Sequence, residues 1–273
     1  MPRVPRKVGW FHYEDQGSGE PLVFLHPFGG STRVWNDQAT YFLDKGYRVI
    51  RVDMRSHGLS TGNPRNKEGG EYSIPQFAID LENILDHAQV ESAHVVGASM
   101  GAMIAVEYAT RNPHIVQKLC LVGGFYGTLE HNRARFEADH AVIRTPEWGI
   151  QALIGGKIKS YFGKEYRDMD EREREAAIHY FRTYQTLGVE GYIATDLAIL
   201  QKKDQHEDLQ HFAATHPREV LLITGEHDFF RDAQDALMAG IEDLRLHVLP
   251  DAGHLCWLNK PKEFNDAVYN FLR

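Results

Sequence analysis

Cysteine is scarce in this chain of 273 residues. The two present, Cys120 and Cys256, each lie in an apolar stretch without the spacing of a zinc site or a disulfide framework, so they read as buried free thiols. Long hydrophobic runs are missing as well. The longest, such as Leu22-Val-Phe-Leu25 and Val220-Leu-Leu-Ile223, fall far short of the roughly 20 residues that a membrane helix needs. Positive charge is not in excess: 30 Lys and Arg stand against 38 Asp and Glu, a net charge of −8, with a pI near 6.0. That balance gives no overall attraction to nucleic acid or to an anionic lipid surface. At the amino terminus a basic stretch runs into Gly9-Trp-Phe-His-Tyr13, where an export signal would carry an apolar stretch and a cleavage site, so the expected location is the cytoplasm.

What is present suits a folded domain. A hydrophobic share of 42% with 25% charged residues and a mean hydropathy of −0.43 excludes the disordered and membrane classes. Short apolar runs of strand length recur at Gly9 to Tyr13, Leu22 to Leu25, Arg48 to Val52, Ala93 to Val96, Lys118 to Val122, Val220 to Thr224 and Leu244 to Leu249. Between them, Arg33 to Lys45, Pro75 to Val90 and Ser99 to Arg111 carry apolar residues at three- and four-residue spacing, as crossover helices do. Alternation of this kind predicts an α/β fold, a mostly parallel, doubly wound sheet covered on both faces. It stops between Phe125 and His216, which reads as a helical insertion; its charged block Asp168 to Glu175 reads as the solvated first turn of a helix. The expected organisation is one core domain, residues 1–124 and 217–273, with a helical cap at 125–216.

Two stretches match Gly-x-Ser-x-Gly, a turn that lifts a serine above a sheet when a strand leads in and a helix leads out. Gly97-Ala-Ser99-Met-Gly101 meets both demands, between Ala93-His-Val-Val96 and Met103-Ile-Ala-Val106. Gly58-Leu-Ser60-Thr-Gly62 meets neither and reads as a turn. A serine hydroxyl needs a base to remove its proton and a carboxylate to orient that base. His254 follows the last strand run in the loop Pro250-Asp-Ala-Gly-His254, and Asp228 follows Val220 to Thr224 in Gly225-Glu-His-Asp228. Glu226 and Asp251 are rival carboxylates, and the Gly-x-x-Asp spacing favours Asp228.

With Ser99, Asp228 and His254 in this order, the chain resembles a lidded member of the α/β-hydrolase superfamily, over nearly its whole length. His26-Pro-Phe-Gly-Gly30 is similar to that family's oxyanion loop, and Asp53-Met-Arg-Ser-His-Gly-Leu-Ser60 resembles its D-x-R-G-x-G-x-S segment, with Pro27 and Ser56 standing where glycines are usual. Proline has no N–H, so the resemblance assigns the oxyanion donors to the backbone N–H groups of Phe28 and Met100. It makes His26 a brace for that loop, and Asp53 and Arg55 read as a bracing pair. Trp35 suits the core, and the resemblance also makes it a candidate for lining the pocket. Phe125, Tyr126 and Trp148 are candidates for an apolar acyl pocket, with plain cap packing as the alternative. His131, His140, His179, His206 and His211 lack metal-ligand spacing and read as surface residues.

The resemblance implies a cofactor-independent serine hydrolase with no metal, acting on a small-molecule carboxylic ester or lactone through an acyl-enzyme on Ser99. Carbon–carbon bond hydrolysis, thioesterase and perhydrolase chemistry are alternatives on the same triad. A slow-turnover ligand receptor is the alternative of another class.

Overall fold

The computed structural model describes residues 3–5, 9–62, 64, 71–145, 149–241 and 244–273. After a first strand β1 (Arg3–Pro5), the seven strand-length runs become β2 (Trp10–Gln16), β3 (Pro21–Leu25), β4 (Arg48–Val52), β5 (Ala93–Ala98), β6 (Val116–Val122), β7 (Val220–Gly225) and β8 (Arg245–Leu249). Among the described residues they form one sheet in the order β1-β2-β4-β3-β5-β6-β7-β8. The pairs β1·β2 and β2·β4 are antiparallel and the rest are parallel. β5 and β7 are buried along their whole length, which is why they read as mostly apolar runs without alternation, His94 in β5 excepted. The strand β1 has no counterpart among the apolar runs.

The helices are α1 (Asn36–Asp44), α2 (Ile74–His87), α3 (Met100–Arg111), α4 (Arg133–Ile143), α5 (Gly149–Phe162), α6 (Glu171–Tyr184), α7 (Gly188–Leu200), α8 (His206–Thr215), α9 (Arg231–Gly240), α10 (Cys256–Asn259) and α11 (Pro261–Leu272). Local chemistry sets their ends. The hydroxyl of Ser73 accepts from the N–H of Gln76 at 3.2 Å and Pro75 sits in the first turn, so α2 begins there. Asp170 and Glu173 form a reciprocal capping box at the start of α6. The charged block therefore opens a helix as its composition predicts, but Glu173 is buried and bonded, not solvated: it accepts from Asn259 Nδ2 at 2.9 Å and pairs with Lys164 at 3.1 Å.

Packing joins α1 to α11 and places α2 and α8 against α3. Thus the last helix of the 125–216 stretch returns to the sheet layer. Gln205, just before it, donates through Nε2 to the carbonyl of Met103 at 2.9 Å. Bracing between β4 and α2 differs from the expected Asp53–Arg55 pair: Arg55 makes a buried, bidentate pair with Asp80, Nε to Oδ2 and Nη2 to Oδ1, each at 2.6 Å. Asp53 instead accepts from the backbone N–H groups of Thr32 at 2.6 Å and Leu59 at 2.8 Å, tying two loops together.

Strand order reverses between β3 and β5, so the loops leaving their carboxyl ends diverge and open a crevice. Because β3, β5, β6, β7 and β8 run parallel, the segments that follow them all emerge at that same edge.

Candidate active site

Ser99 occupies the turn between β5 and α3 with φ 53° and ψ −112°, a conformation that a residue with a Cβ holds only under constraint. Its N–H is anchored to the carbonyl of Val122 at 2.7 Å, and its hydroxyl makes no capping bond to α3. The flanking glycines are a steric necessity. A Cβ on Gly97 would stand 2.3 Å from the carbonyl oxygen of Gly101, and one on Gly101 would stand 2.3 Å from that of Leu25.

His254 lies in the loop after β8 and Asp228 in the loop after β7. His254 Nδ1 is 3.1 Å from both carboxylate oxygens of Asp228, and both side chains are buried. Asp228 also accepts from the N–H of Phe230 at 2.8 Å and from the hydroxyl of Thr224 at 3.3 Å. Burial works to raise its pKa, but His254 and these donors together hold it below the ordinary value. As a carboxylate, Asp228 places the ring proton on Nδ1 and leaves Nε2 as an acceptor. The pair lies against bare backbone: a Cβ on Gly123, at the end of β6, would stand 2.9 Å from Oδ2 of Asp228 and 3.1 Å from Nδ1 of His254. Of the rival carboxylates, Glu226 is exposed and accepts from the N–H of Asp251 at 2.9 Å, while Asp251 is exposed and faces Lys164 and Lys260.

Ser99 and His254 face one cavity of about 100 Å³. Phe28, Met103, Tyr161, Phe229 and Phe230 give it an apolar wall, and α4, α5 and α7 add Asp139, Lys157 and Asp196. These charges are matched locally. Lys157 Nζ donates to Asp139 Oδ2 at 3.1 Å, and His140 Nε2 lies 2.9 Å from Asp196 Oδ2, where burial outweighs the partners and pushes the Asp196 pKa up.

The backbone N–H groups of Phe28 and Met100 make no hydrogen bond among the described residues. The loop carrying Phe28 is clamped from two directions. Two buried histidines hold it from below: His26 Nδ1 donates to the carbonyl of Pro27 at 2.8 Å and Nε2 accepts from Met54 N–H at 3.0 Å, while His57 Nδ1 donates to the carbonyl of Arg55 at 2.9 Å and Nε2 accepts from Gly29 N–H at 3.1 Å. Accepting at Nε2 requires both rings to be neutral, and burial pushes both pKa values down. From α6, the hydroxyls of Tyr180 and Thr183 donate to the carbonyls of Phe28 at 2.7 Å and Gly29 at 2.6 Å. Such an arrangement brings the Ser99 hydroxyl and the His254 imidazole to one cavity, beside a loop whose Phe28 N–H has no partner among the described residues.

Residues 20–261 match the model of the alpha/beta hydrolase fold family. The chain belongs to this family. Over 96% of its length it is 28% identical to the 2-hydroxy-6-oxononadienedioate/2-hydroxy-6-oxononatrienedioate hydrolase of Paraburkholderia xenovorans (strain LB400), 90% of which is covered. Among solved structures it is similar to a carboxylesterase from the Thaumarchaeon Nitrososphaera gargenis, with a TM-score of 0.84, 26% identity and coverage of 99% of this chain and 97% of that one. It is also similar to an N-acyl homoserine lactone degrading enzyme, with a TM-score of 0.80, 26% identity and coverage of 99% and 100%.

In this α/β hydrolase several expected pocket residues lie elsewhere. Trp35 is wholly buried in the core, stacked on Trp257 at 4.9 Å and packed on Phe24 at 5.1 Å, so it does not reach the cavity. Tyr126 is buried behind Gly124, and Phe125 packs on the back of Phe230 at 5.0 Å; neither lines the cavity. Trp148 lies outside the described residues. His140 is not a surface residue, since its bond to Asp196 holds it inside the cavity wall. Sequence reasoning missed His57, Tyr161, Phe229 and Lys157. For His57 a signal existed, one residue after Ser56, where the family segment has its departure; for Phe229 it was adjacency to Asp228.

Proposed function

We propose that the protein is a cofactor-independent serine hydrolase that cleaves a small to medium carboxylic ester or lactone. The observation that carries this reading is that Ser99 and the Asp228-bonded His254 line one cavity. In this reading Nε2 of His254 takes the proton from the Ser99 hydroxyl as the oxygen attacks the carbonyl carbon. The N–H groups of Phe28 and Met100 hold the resulting oxyanion. Collapse breaks the bond to the leaving oxygen, which receives the proton from His254, and water then resolves the acyl-enzyme by the same steps in reverse roles.

The cavity sets Phe28, Met103, Phe229 and Phe230 around Ser99, which supports an acyl group with an apolar portion. Its mixed wall supports a substrate with a polar feature beyond the scissile bond. Similarity to a carboxylesterase and to a lactone-degrading enzyme favours ester and lactone bonds among the reactions open to the family. Among the described residues no helix is long and apolar enough to cross a membrane. The test is intact-protein mass after exposure to a fluorophosphonate. One stoichiometric adduct, absent from Ser99→Ala, supports an activated Ser99 and directs screening to esters and lactones by acyl length. Well-folded protein without an adduct overturns the reading and moves a non-catalytic, ligand-binding role ahead.

A further inference from the structure

Asp228 ties the His254 ring along one edge only, through Nδ1. A ring held at one edge can tilt about that bond unless its surroundings are packed. Three aromatic rings supply the packing: Phe229 with centroids 4.3 Å apart and planes at 32°, Phe230 at 5.8 Å and 73°, and Tyr161 at 5.6 Å and 29°. Phe229 and Phe230 follow Asp228 directly in the chain. Tyr161 comes from a different element, the last turn of α5.

Tyr161 is itself fixed from several directions. Its carbonyl accepts from the N–H of Leu255, the residue after His254, at 2.8 Å. Its hydroxyl lies 3.0 Å from that of Tyr184, and its ring stacks on Phe181 at 6.0 Å with planes 8° apart. Just beyond it the two backbones meet, since a Cβ on Gly253 would stand 2.3 Å from the nitrogen of Gly163. Further bonds join the same loop to the helices above the sheet edge: Lys164 to Asp251 at 3.3 Å, Arg172 Nη1 to the carbonyl of Leu258 at 2.7 Å, and Asn259 to Glu173.

We propose that Tyr161 is a positioning residue for His254: α5 and the loop bearing the base form one unit, and the Tyr161 ring keeps the imidazole plane where Nε2 reaches Ser99. The inference rests on the reading of Ser99 and His254 as nucleophile and base. Tyr161 acts through the imidazole and takes no proton itself. A role confined to the cavity wall, which its ring also lines, would make it matter for substrate fit alone.

The experiment measures the rate of inactivation by a short-chain fluorophosphonate, together with kcat and KM on para-nitrophenyl acetate, for wild type, Tyr161→Phe, Tyr161→Leu and Tyr161→Met. Circular dichroism verifies the fold, and having two ring-free variants of similar bulk guards against failure of either one. Tyr161→Phe keeps the ring and loses one hydroxyl contact, so its rates stay within about threefold of wild type. Both ring-free variants lose between about tenfold and about a hundredfold in inactivation rate and in kcat, the effect of misplacing a catalytic group by about 1 Å, and this loss exceeds any rise in KM. Ring-free variants that inactivate at the wild-type rate, or that raise KM and leave kcat intact, overturn the positioning role and leave the serine-hydrolase reading standing. Wild-type protein that forms no adduct overturns both.

Discussion

The two neutral histidines beneath the Phe28 loop make stability sensitive to mild acid. In the unfolded chain each titrates near its ordinary value of 6.5, and in the folded protein burial pushes both lower, His57 well below, where the neighbouring His26 adds to the effect. Above about pH 7.5 neither state takes up these protons and the clamp contributes in full. As pH falls through 6.5, the unfolded chain binds protons that the folded one refuses, and stability drops by up to about 1.4 kcal/mol per histidine per pH unit. At pH 5.5 the two together remove up to about 3 kcal/mol, a large part of the 5–15 kcal/mol typical of a folded protein. The assay is urea unfolding followed by circular dichroism at pH 7.5, 6.5 and 5.5, on wild type and on His57→Gln. Glutamine can accept from Gly29 N–H without titrating, so this variant should lose the larger share of the pH dependence assigned to the pair. His94 and His179, also lowered by burial, and Asp196, raised by it, contribute equally to both proteins and cancel in the comparison. Equal slopes in the two proteins, or wild-type stability that is flat down to pH 5.5, would refute the neutral clamp.

Ser99→Ala should abolish ester turnover with the urea midpoint unchanged, whereas Ser60→Ala should keep turnover. The latter should lose about 1–2 kcal/mol of stability, because the buried Ser60 hydroxyl accepts from His12 N–H at 2.8 Å and donates to the carbonyl of Asp53 at 2.6 Å. Asp80→Ala leaves the buried Arg55 guanidinium without its carboxylate and should cost about 3–5 kcal/mol, read from the same unfolding curves. Gly123→Ala should fold at a cost of about 1–2 kcal/mol for its φ of 55° and lose about a hundredfold in kcat, since the new methyl displaces the His254–Asp228 pair; wild-type kcat would show that the pair does not depend on this close approach.

The sheet and the segments at its carboxyl edge were legible because their determinants are local. Strands buried on both faces are dominated by apolar residues, with His94 of β5 paired to Glu20, and Gly97 and Gly101 are imposed by contacts within a few residues of Ser99 or with the adjacent strand. The Asp53–Arg55 assignment failed for the complementary reason: proximity in sequence favoured a neighbour, while the buried guanidinium found its bidentate partner on α2. A single sequence states which charges exist, not which of them meet across the layers.

The cavity wall was illegible for a deeper reason, visible in α7. This helix buries Tyr192, Ile193, Thr195, Asp196, Ile199 and Leu200, residues that point in several directions around its axis, so periodicity does not say which side meets the cavity. Only the structure shows that Asp196 and Ile199 line it while Tyr192 packs on Phe28 at 4.8 Å. Trp35 and Tyr161 make the same point from opposite sides. Trp35 lies close in sequence to the Phe28 loop, yet the apolar layer under the sheet claims its ring. Tyr161 lies far from every motif and yet stacks on His254, because the glycines at 163 and 253 let two backbones touch. What the motifs define is the set of reacting groups, and what holds those groups in register comes from helices whose docking no local pattern encodes. The Tyr161 variants therefore probe a part of the site that the Gly-x-Ser-x-Gly motif could never reveal.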